Sequence, residues 1–233
     1  MQKLIHGIHR FQDMVFAPRR DFFHKLVDGQ EPQALFITCS DSRVVPDLIC
    51  QADPGDLFVI RTAGGIIPPY RPGTACGVAA TVEYGLKVLK IPHIVVCGHT
   101  HCGAMNAVLD AETITELPGV RRWLEYAQAS LSIVRTCYQH LPPDKQRRVL
   151  VQENVLVQLE HLRTHPAVAT ALAAGQVTLH AWVYKMETGE VFAYDSSTHQ
   201  FELVGRDYDV SGEKFHEAQP PSLRRARHAC EAL

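Results

Sequence analysis

Short, uninterrupted apolar runs alternate along this chain with segments of helix length, and this alternation limits the folds open to it. The runs lie at 34–39, 56–61, 93–97, 176–184 and 190–194. The first three are too short for buried helices and lack polar alternation, which is typical of strands covered on both faces of a parallel sheet. Thr188 and Gly189 predict a hairpin turn between the last two runs.

Helical patterns fill the intervals between these strands. We predict helices at about 44–52, 74–90, 103–110, 120–140 and 146–163. Strands that alternate with helices predict an α/β fold with a mostly parallel central sheet flanked by helices.

The chain divides into three parts by its pattern. Leu4, Ile8 and Phe11 recur at helical spacing, so residues 1–28 are predicted to form an N-terminal helical arm. Residues 29–204 form the predicted α/β domain. Residues 205–233 form a C-terminal extension that begins acidic and becomes basic.

Charge and composition exclude several classes of protein. A formal net charge of −2 gives no basic field for a nucleic-acid backbone. No apolar run approaches the roughly 18 residues needed to span a bilayer, and the first ten residues lack a signal-peptide core. We therefore expect a cytoplasmic protein without nucleic-acid or membrane partners. In a reducing compartment its seven cysteines point to metal binding or catalysis.

Soft metal ligands follow two of the predicted parallel strands. Cys39 ends the first run, and His99 and Cys102 follow the third. Carboxyl ends of parallel strands meet at one edge of the sheet, so these side chains are predicted to lie together. Three such ligands with a fourth position left open are the arrangement of catalytic zinc sites. His101, between two ligands, is predicted to point away from the ion.

Two charged residues share the loop that follows Cys39. Asp41 could accept a hydrogen bond from a zinc-bound hydroxide and aim its lone pair at a substrate. Arg43 could bind both oxygens of Asp41 as a fork, which would hold that carboxylate off the metal and keep the fourth position open.

The combination Cys39-Ser-Asp-Ser-Arg43 with His99-x-x-Cys102 resembles the β-class carbonic anhydrases, over about residues 1–204, and is most similar to their plant-type and cyanobacterial branch. The resemblance implies reversible hydration of CO2 to bicarbonate and a proton, with Zn2+ on Cys39, His99 and Cys102. Asp41 and Arg43 match the catalytic pair of the family.

Further pocket positions follow from the resemblance alone. Gln30, Phe58, Tyr84 and Gly103 match residues that bind substrate or line its pocket. In the family the glutamine and the tyrosine come from the partner subunit, so a homodimer or a higher homo-oligomer is expected.

Two regions depart from the family pattern. Phe36 replaces a tryptophan that, with the equivalents of Arg61 and Tyr184, builds a regulatory bicarbonate site in some members. Phenylalanine lacks the indole hydrogen bond donor, so this regulation is not expected. Thr62 and Gly65 replace two asparagines of the family, which changes the pocket without removing a ligand.

Two alternatives remain open. A hydrolase of COS or CS2 on the same scaffold would have the same metal site. A weakly active, zinc-stabilised carboxysome assembly protein would use the C-terminal extension to dock on shell or scaffold proteins, which would place it in the carboxysome.

Overall fold

One six-stranded sheet organises the chain. The computed structural model describes residues 1–205. The strands are β1 Ala34–Cys39, β2 Leu57–Thr62, β3 His93–His99, β4 Thr178–Lys185, β5 Glu190–Asp195 and β6 Gln200–Leu203. Their order in the sheet is β2-β1-β3-β4-β5-β6. The first four are mutually parallel, and β5 and β6 are added antiparallel. The predicted mostly parallel α/β fold is confirmed.

Helices precede the sheet and connect its strands. They are α1 Gln2–Phe11, α2 Arg20–Val27, α3 Pro46–Cys50, α4 Gly77–Lys87, α5 Gly103–Leu109, α6 Pro118–Leu124, α7 Gln128–Cys137, α8 Pro143–Arg163 and α9 Pro166–Ala173. The single helix predicted at 120–140 is wrong, since a 3₁₀ turn at Glu125–Ala127 separates α6 from α7.

Two elements were not predicted, α9 and β6. Pro166 is at the first position of α9, where its missing N–H would have had no helical partner. The proline therefore starts a helix here instead of marking a break. Strand β6 has only four residues and depends on its pairing with β5, in which Tyr194 lies opposite Phe201.

Helix α8 packs on the face of the sheet that carries the larger hydrophobic core. Val151 and Val155 of α8 lie against Gly98 of β3, where a Cβ atom would be 2.7 Å from Val155 Cγ2 and 2.9 Å from Val151 Cγ1. The missing side chain therefore lets α8 approach β3 directly beside His99.

The opposite face of the sheet carries a smaller apolar cluster. Phe36, Val95 and Cys97 are buried there, and the partly buried Trp182 and Tyr184 pack around them. Phe36 meets the Trp182 ring edge-on, with ring centroids 6.1 Å apart. Cys97 therefore lies in the core, as predicted from its position inside a strand.

The N-terminal arm is helical, as predicted, and α1 buries none of its residues. Leu4 and Ile8 are 63% and 57% exposed in this chain. An ion pair of 2.9 Å between Arg19 and Asp53 joins the arm to the domain. The C-terminal extension, from residue 206 on, lies outside the described residues. Within residues 1–205, no helix combines the length and apolar character needed to cross a membrane.

Candidate metal centre

The register of three strands brings the predicted ligands together. Thr38 of β1 lies opposite Cys97 of β3, so Cys39 and His99 end neighbouring parallel strands. Cys102 follows after a turn in which His101 has a left-handed φ of 55°. This turn folds the chain back, so that ligands three residues apart face the same point.

Cys39, His99 and Cys102 form a buried cluster. One ligand atom from each residue lies within 4.8 Å of the others. The two sulfur atoms are 3.9 Å apart. These three residues are the ligand set predicted from the strand ends.

His99 offers one ring nitrogen to this cluster. Its Nδ1 is 2.9 Å from the carbonyl oxygen of Thr100. A carbonyl only accepts, so Nδ1 carries the proton and Nε2 keeps its lone pair. Nε2 is buried and has no hydrogen bond partner among residues 1–205. A buried polar atom without a partner is costly, and a metal ion would satisfy it.

The two thiols differ in their titration. The pKa of Cys39 is lowered, chiefly because the Cys102 thiol hydrogen-bonds its sulfur and also because the backbone N–H groups of Asp41 and Gly64 point at it. The pKa of Cys102 is raised by the neighbouring Cys39 sulfur and by burial. The cluster thus favours one thiolate, and a dication would stabilise a second.

Asp41 and Arg43 form the predicted fork beside the cluster. Arg43 Nε donates to Asp41 Oδ1 at 2.9 Å, and Nη2 donates to Oδ2 at 2.7 Å. The backbone N–H of Arg43 also donates to Oδ1. These hydrogen bonds, the side-chain ones foremost, hold the pKa of Asp41 well below its usual range. Asp41 is therefore ionised at neutral pH, with both oxygens engaged.

A carboxylate that was not predicted from the sequence supports the turn from His99 to Cys102. Glu187, after β4, accepts hydrogen bonds from Thr100 Oγ1 at 2.6 Å and His101 Nε2 at 2.8 Å. Partial burial opposes ionisation, but these hydrogen bonds outweigh it and lower the pKa of Glu187 to about 2. His101 thus points away from the cluster, as predicted. Glu187 could have been found by applying the strand-end search to β4.

The turn after β2 closes the other side of the cluster. Gly64 and Gly65 have φ values of 73° and 64°, a left-handed conformation that glycine adopts without strain. The Gly64 N–H donates to Cys39 Sγ at 3.3 Å, and Asn154 of α8 donates to the Gly64 carbonyl. Thr62 bonds the Ile66 carbonyl at 2.8 Å. The departure from the family pattern at Thr62 and Gly65 therefore leaves an ordered turn.

Arg61 holds the loop that carries the fork. Its guanidinium donates to the carbonyls of Cys39, Asp41 and Val44 at 3.1, 2.6 and 2.8 Å. Arg61 is the arginine that matches the regulatory bicarbonate site of some members of the family. In this chain its guanidinium is hydrogen-bonded to three backbone carbonyls.

Of the other predicted pocket residues, Gly103 lies beside the cluster of its own chain, whereas Gln30, Phe58 and Tyr84 do not. Phe58 is four residues before Thr62, the partner of Cys39, so it lies roughly 13 Å back along the sheet. Tyr84 is 47% exposed and lies beside it, with ring centroids 6.2 Å apart. Gln30 is exposed and precedes β1 at this same end. Gly103 begins α5 directly after Cys102.

Comparison with known proteins decides the family. The family model described as carbonic anhydrase matches residues 34–191. A carbonic anhydrase of Synechocystis sp. is 48% identical over 202 residues, which make up 86% of this chain and 73% of that protein. The solved structure of the β-carbonic anhydrase CcaA is 47% identical with a TM-score of 0.84, covering 87% of this chain and 98% of that chain. The chain belongs to the β-class carbonic anhydrases.

As a β-carbonic anhydrase, the protein is a carbonate dehydratase that interconverts CO2 and bicarbonate, and its cofactor is zinc. The donor set fits this metal. Two thiolates bound tetrahedrally to zinc at ~2.3 Å would lie about 3.8 Å apart. The two sulfurs of the cluster are 3.9 Å apart, and Nε2 of His99 is available as a third donor. A tetrameric β-carbonic anhydrase from Sordaria macrospora is 27% identical with a TM-score of 0.68, covering 82% of this chain and 92% of that chain.

Proposed function

We propose that Cys39, His99 and Cys102 hold the zinc ion and that Asp41 and Arg43 form the catalytic pair for reversible CO2 hydration. The observation that carries this proposal is the two-bond fork from Arg43 to Asp41, directly beside a buried cluster of three soft donors.

Each residue has a distinct task in this proposal. Zinc held by the cluster would lower the pKa of a water molecule to about 7, and so would supply a nucleophile at neutral pH. The Asp41 carboxylate would accept a hydrogen bond from the attacking water and so orient its lone pair. Arg43 engages both Asp41 oxygens, which keeps them from competing for the open position on the metal.

The test is stopped-flow CO2 hydration on samples of known zinc content. Asp41→Asn should retain about one zinc per chain and lose most of the hydration rate, since the amide can donate a hydrogen bond where the carboxylate only accepts. The control is Asp47→Asn, an exposed aspartate in the first turn of α3. Normal turnover by Asp41→Asn at full zinc content would remove the assigned role.

The same samples distinguish CO2 hydration from the alternative activity, hydrolysis of COS or CS2. We expect CO2 hydration to exceed COS hydrolysis in kcat/KM. The reverse order, at full zinc content, would favour the alternative substrate class.

A second copy of the chain completes the pocket in this proposal. Phe58 and Tyr84 pack together at the end of the sheet away from their own cluster, and Gln30 precedes β1, so these side chains are placed to line the pocket of a partner. The exposed apolar stripe of α1, with Leu4 and Ile8, supplies a surface for the same association. A homodimer, or a higher oligomer built from it, follows.

Complementation between inactive chains tests this shared pocket. Asp41→Asn and Tyr84→Ala are each expected to be weakly active alone. A mixed dimer would contain one site with both wild-type residues, so subunit exchange should restore activity. No recovery, in samples where mass spectrometry detects mixed dimers, would contradict a pocket built by two chains.

Docking to a carboxysome partner remains a prediction, because the extension that would carry it lies outside the described residues. The cytoplasmic or carboxysomal location likewise stays a prediction. A pull-down with the full chain and with residues 205–233 removed tests the docking, and equal recovery of partners by both chains would count against it.

A further inference from the structure

A second cavity lies outside the metal centre. It has a volume of about 310 Å³ and lies between the segment that follows β2, the start of α4 and helix α6. Pro69, Cys76, Trp123 and Tyr126 are among the residues that line it, and we call it the Trp123 cavity. Its size is at the lower end of the range for small-molecule sites, about 300–1,000 Å³.

Aromatic rings form much of its wall. Trp123 meets Tyr126 edge-on, with centroids 5.8 Å apart. The indole N–H is already used, since it donates to the Ala63 carbonyl at 2.9 Å. Tyr70 similarly packs against His165, whose Nε2 is 2.9 Å from the Pro68 carbonyl. The wall therefore presents apolar ring surface, which suits a flat ring in the ligand.

Two cations line the same cavity, and none of the acidic residues in the described part of the chain does. Arg71 and Arg122 are lining residues, and the Arg71 guanidinium is 6.0 Å from the centroid of the Tyr126 ring. Within residues 1–205 neither arginine makes an ion pair with a carboxylate. Arginine binds carboxylates with paired hydrogen bonds, so the cavity is complementary to a ring that carries a carboxylate.

Trp123 also connects this cavity with the metal centre. The Ala63 carbonyl that it holds belongs to the turn whose next residue, Gly64, donates its N–H to Cys39 Sγ at 3.3 Å. A ligand that packs on the Trp123 ring therefore acts on a side chain that fixes this turn. Two hydrogen bonds separate the cavity from a sulfur of the cluster.

We propose that the Trp123 cavity binds a small aromatic carboxylate and that this ligand modulates the metal centre through Trp123 and Ala63. This ligand site goes beyond the proposed function. The proposed function enters only through the CO2 hydration rate, which is one of two measurements; the other is benzoate binding. Binding is measured independently of activity, so the two ideas fail separately.

The experiment is a calorimetric titration of the zinc-loaded enzyme with sodium benzoate, followed by CO2 hydration at saturating benzoate. Benzyl alcohol is the control without charge, and acetate is the control without a ring. Acetate can still reach the metal as an anion, so an effect shared by benzoate and acetate would be assigned to the metal and would overturn the proposal.

Variants locate the site. The double variant Arg71→Gln/Arg122→Gln should bind benzoate at least about tenfold more weakly and keep the basal hydration rate, because charge-assisted hydrogen bonds are lost. Arg121→Gln is the matched control, as an exposed neighbour on α6 that does not line the cavity. Unchanged benzoate affinity in the double variant would overturn the proposal, as would a failure of the wild-type enzyme to bind benzoate.

Trp123→Phe tests the coupling. It keeps a ring in the wall and removes the hydrogen bond to Ala63. In the wild-type enzyme, saturating benzoate should change the hydration rate by about fivefold or more, in the range of typical coupling. Trp123→Phe should still bind benzoate but lose this response. A response that persists in Trp123→Phe, or its absence from the wild type, would overturn the coupling.

Discussion

The contact of α8 with β3 gives a prediction whose size follows from the structure. In Gly98→Ala the new Cβ would lie 2.7 Å from Val155 Cγ2 and 2.9 Å from Val151 Cγ1. Carbon atoms pack best at about 3.5–4.0 Å, so both contacts are strongly repulsive. Valine in a helix has one dominant rotamer, and neither side chain can turn away.

Overpacking of this kind costs about 1–3 kcal/mol, and the rigid neighbours place Gly98→Ala at the upper end. Replacing glycine also lowers the entropy of the unfolded chain, which offsets about 0.4–1 kcal/mol. A net loss of about 2 kcal/mol remains. For a chain of this length, that lowers the melting temperature by about 4–8 °C.

The assay is thermal unfolding of zinc-loaded protein at one protomer concentration, since bound metal and association both shift the transition. Gly77→Ala is the matched control, because a Cβ there meets nothing within 4 Å. Its melting temperature should not fall. In a double-mutant cycle, Gly98→Ala should cost less when Val155 is already alanine. Equal costs in the two backgrounds would refute the steric argument.

One further prediction concerns Glu187, which supports the metal centre, and another concerns the titration of the buried His180. Glu187→Ala should weaken zinc binding by about 10–100-fold in a competition with a chelator, because the turn from His99 to Cys102 loses its carboxylate. Glu116→Ala, at an exposed position outside this turn, is the control and should leave zinc binding unchanged. Burial, with His93 nearby, lowers the pKa of His180 to about 4. The unfolded chain, with a pKa near 6.5, then binds the proton first, so His180 reduces stability as the pH falls from about 6.5 to 4. In His180→Gln the melting temperature should therefore depend less on pH over this range, whereas His6→Gln on the arm should behave as the wild type does. Parallel curves of melting temperature against pH for His180→Gln and the wild type would count against burial as the cause.

Local pattern accounts for the geometry around the cluster that the sequence predicts. Cys39 and His99 were placed together because parallel strands end at one edge, a rule that needs no knowledge of side-chain contacts. The fork from Arg43 to Asp41 joins residues two apart, so the loop sequence was sufficient to propose it. Cys97 was assigned to the core from its position inside an apolar run, and it is buried there.

Contacts between distant parts of the chain account for what was missed. Glu187 reaches its partners across 86 and 87 residues, and Asn154 reaches Gly64 across 90. Nothing near Asn154 in the sequence indicates that it holds a turn beside the metal centre. Strand β6 likewise depends on its pairing with β5 more than on its own four residues. Such features require the packed structure, because their energies come from partners that local patterns do not contain.

The spacing of the metal centre along the chain has a consequence for biosynthesis. Cys39, His99 and Cys102 are all part of the growing chain once residue 102 has been added. Glu187 is added 86 residues after His101. At about 5–20 residues per second, this interval lasts roughly 4–17 s. A nascent chain therefore displays the two cysteines and the histidine before β4 and Glu187 exist to fix the turn between them. Chains released before residue 187 would therefore carry Cys39, His99 and Cys102 without the carboxylate that holds the turn from His99 to Cys102.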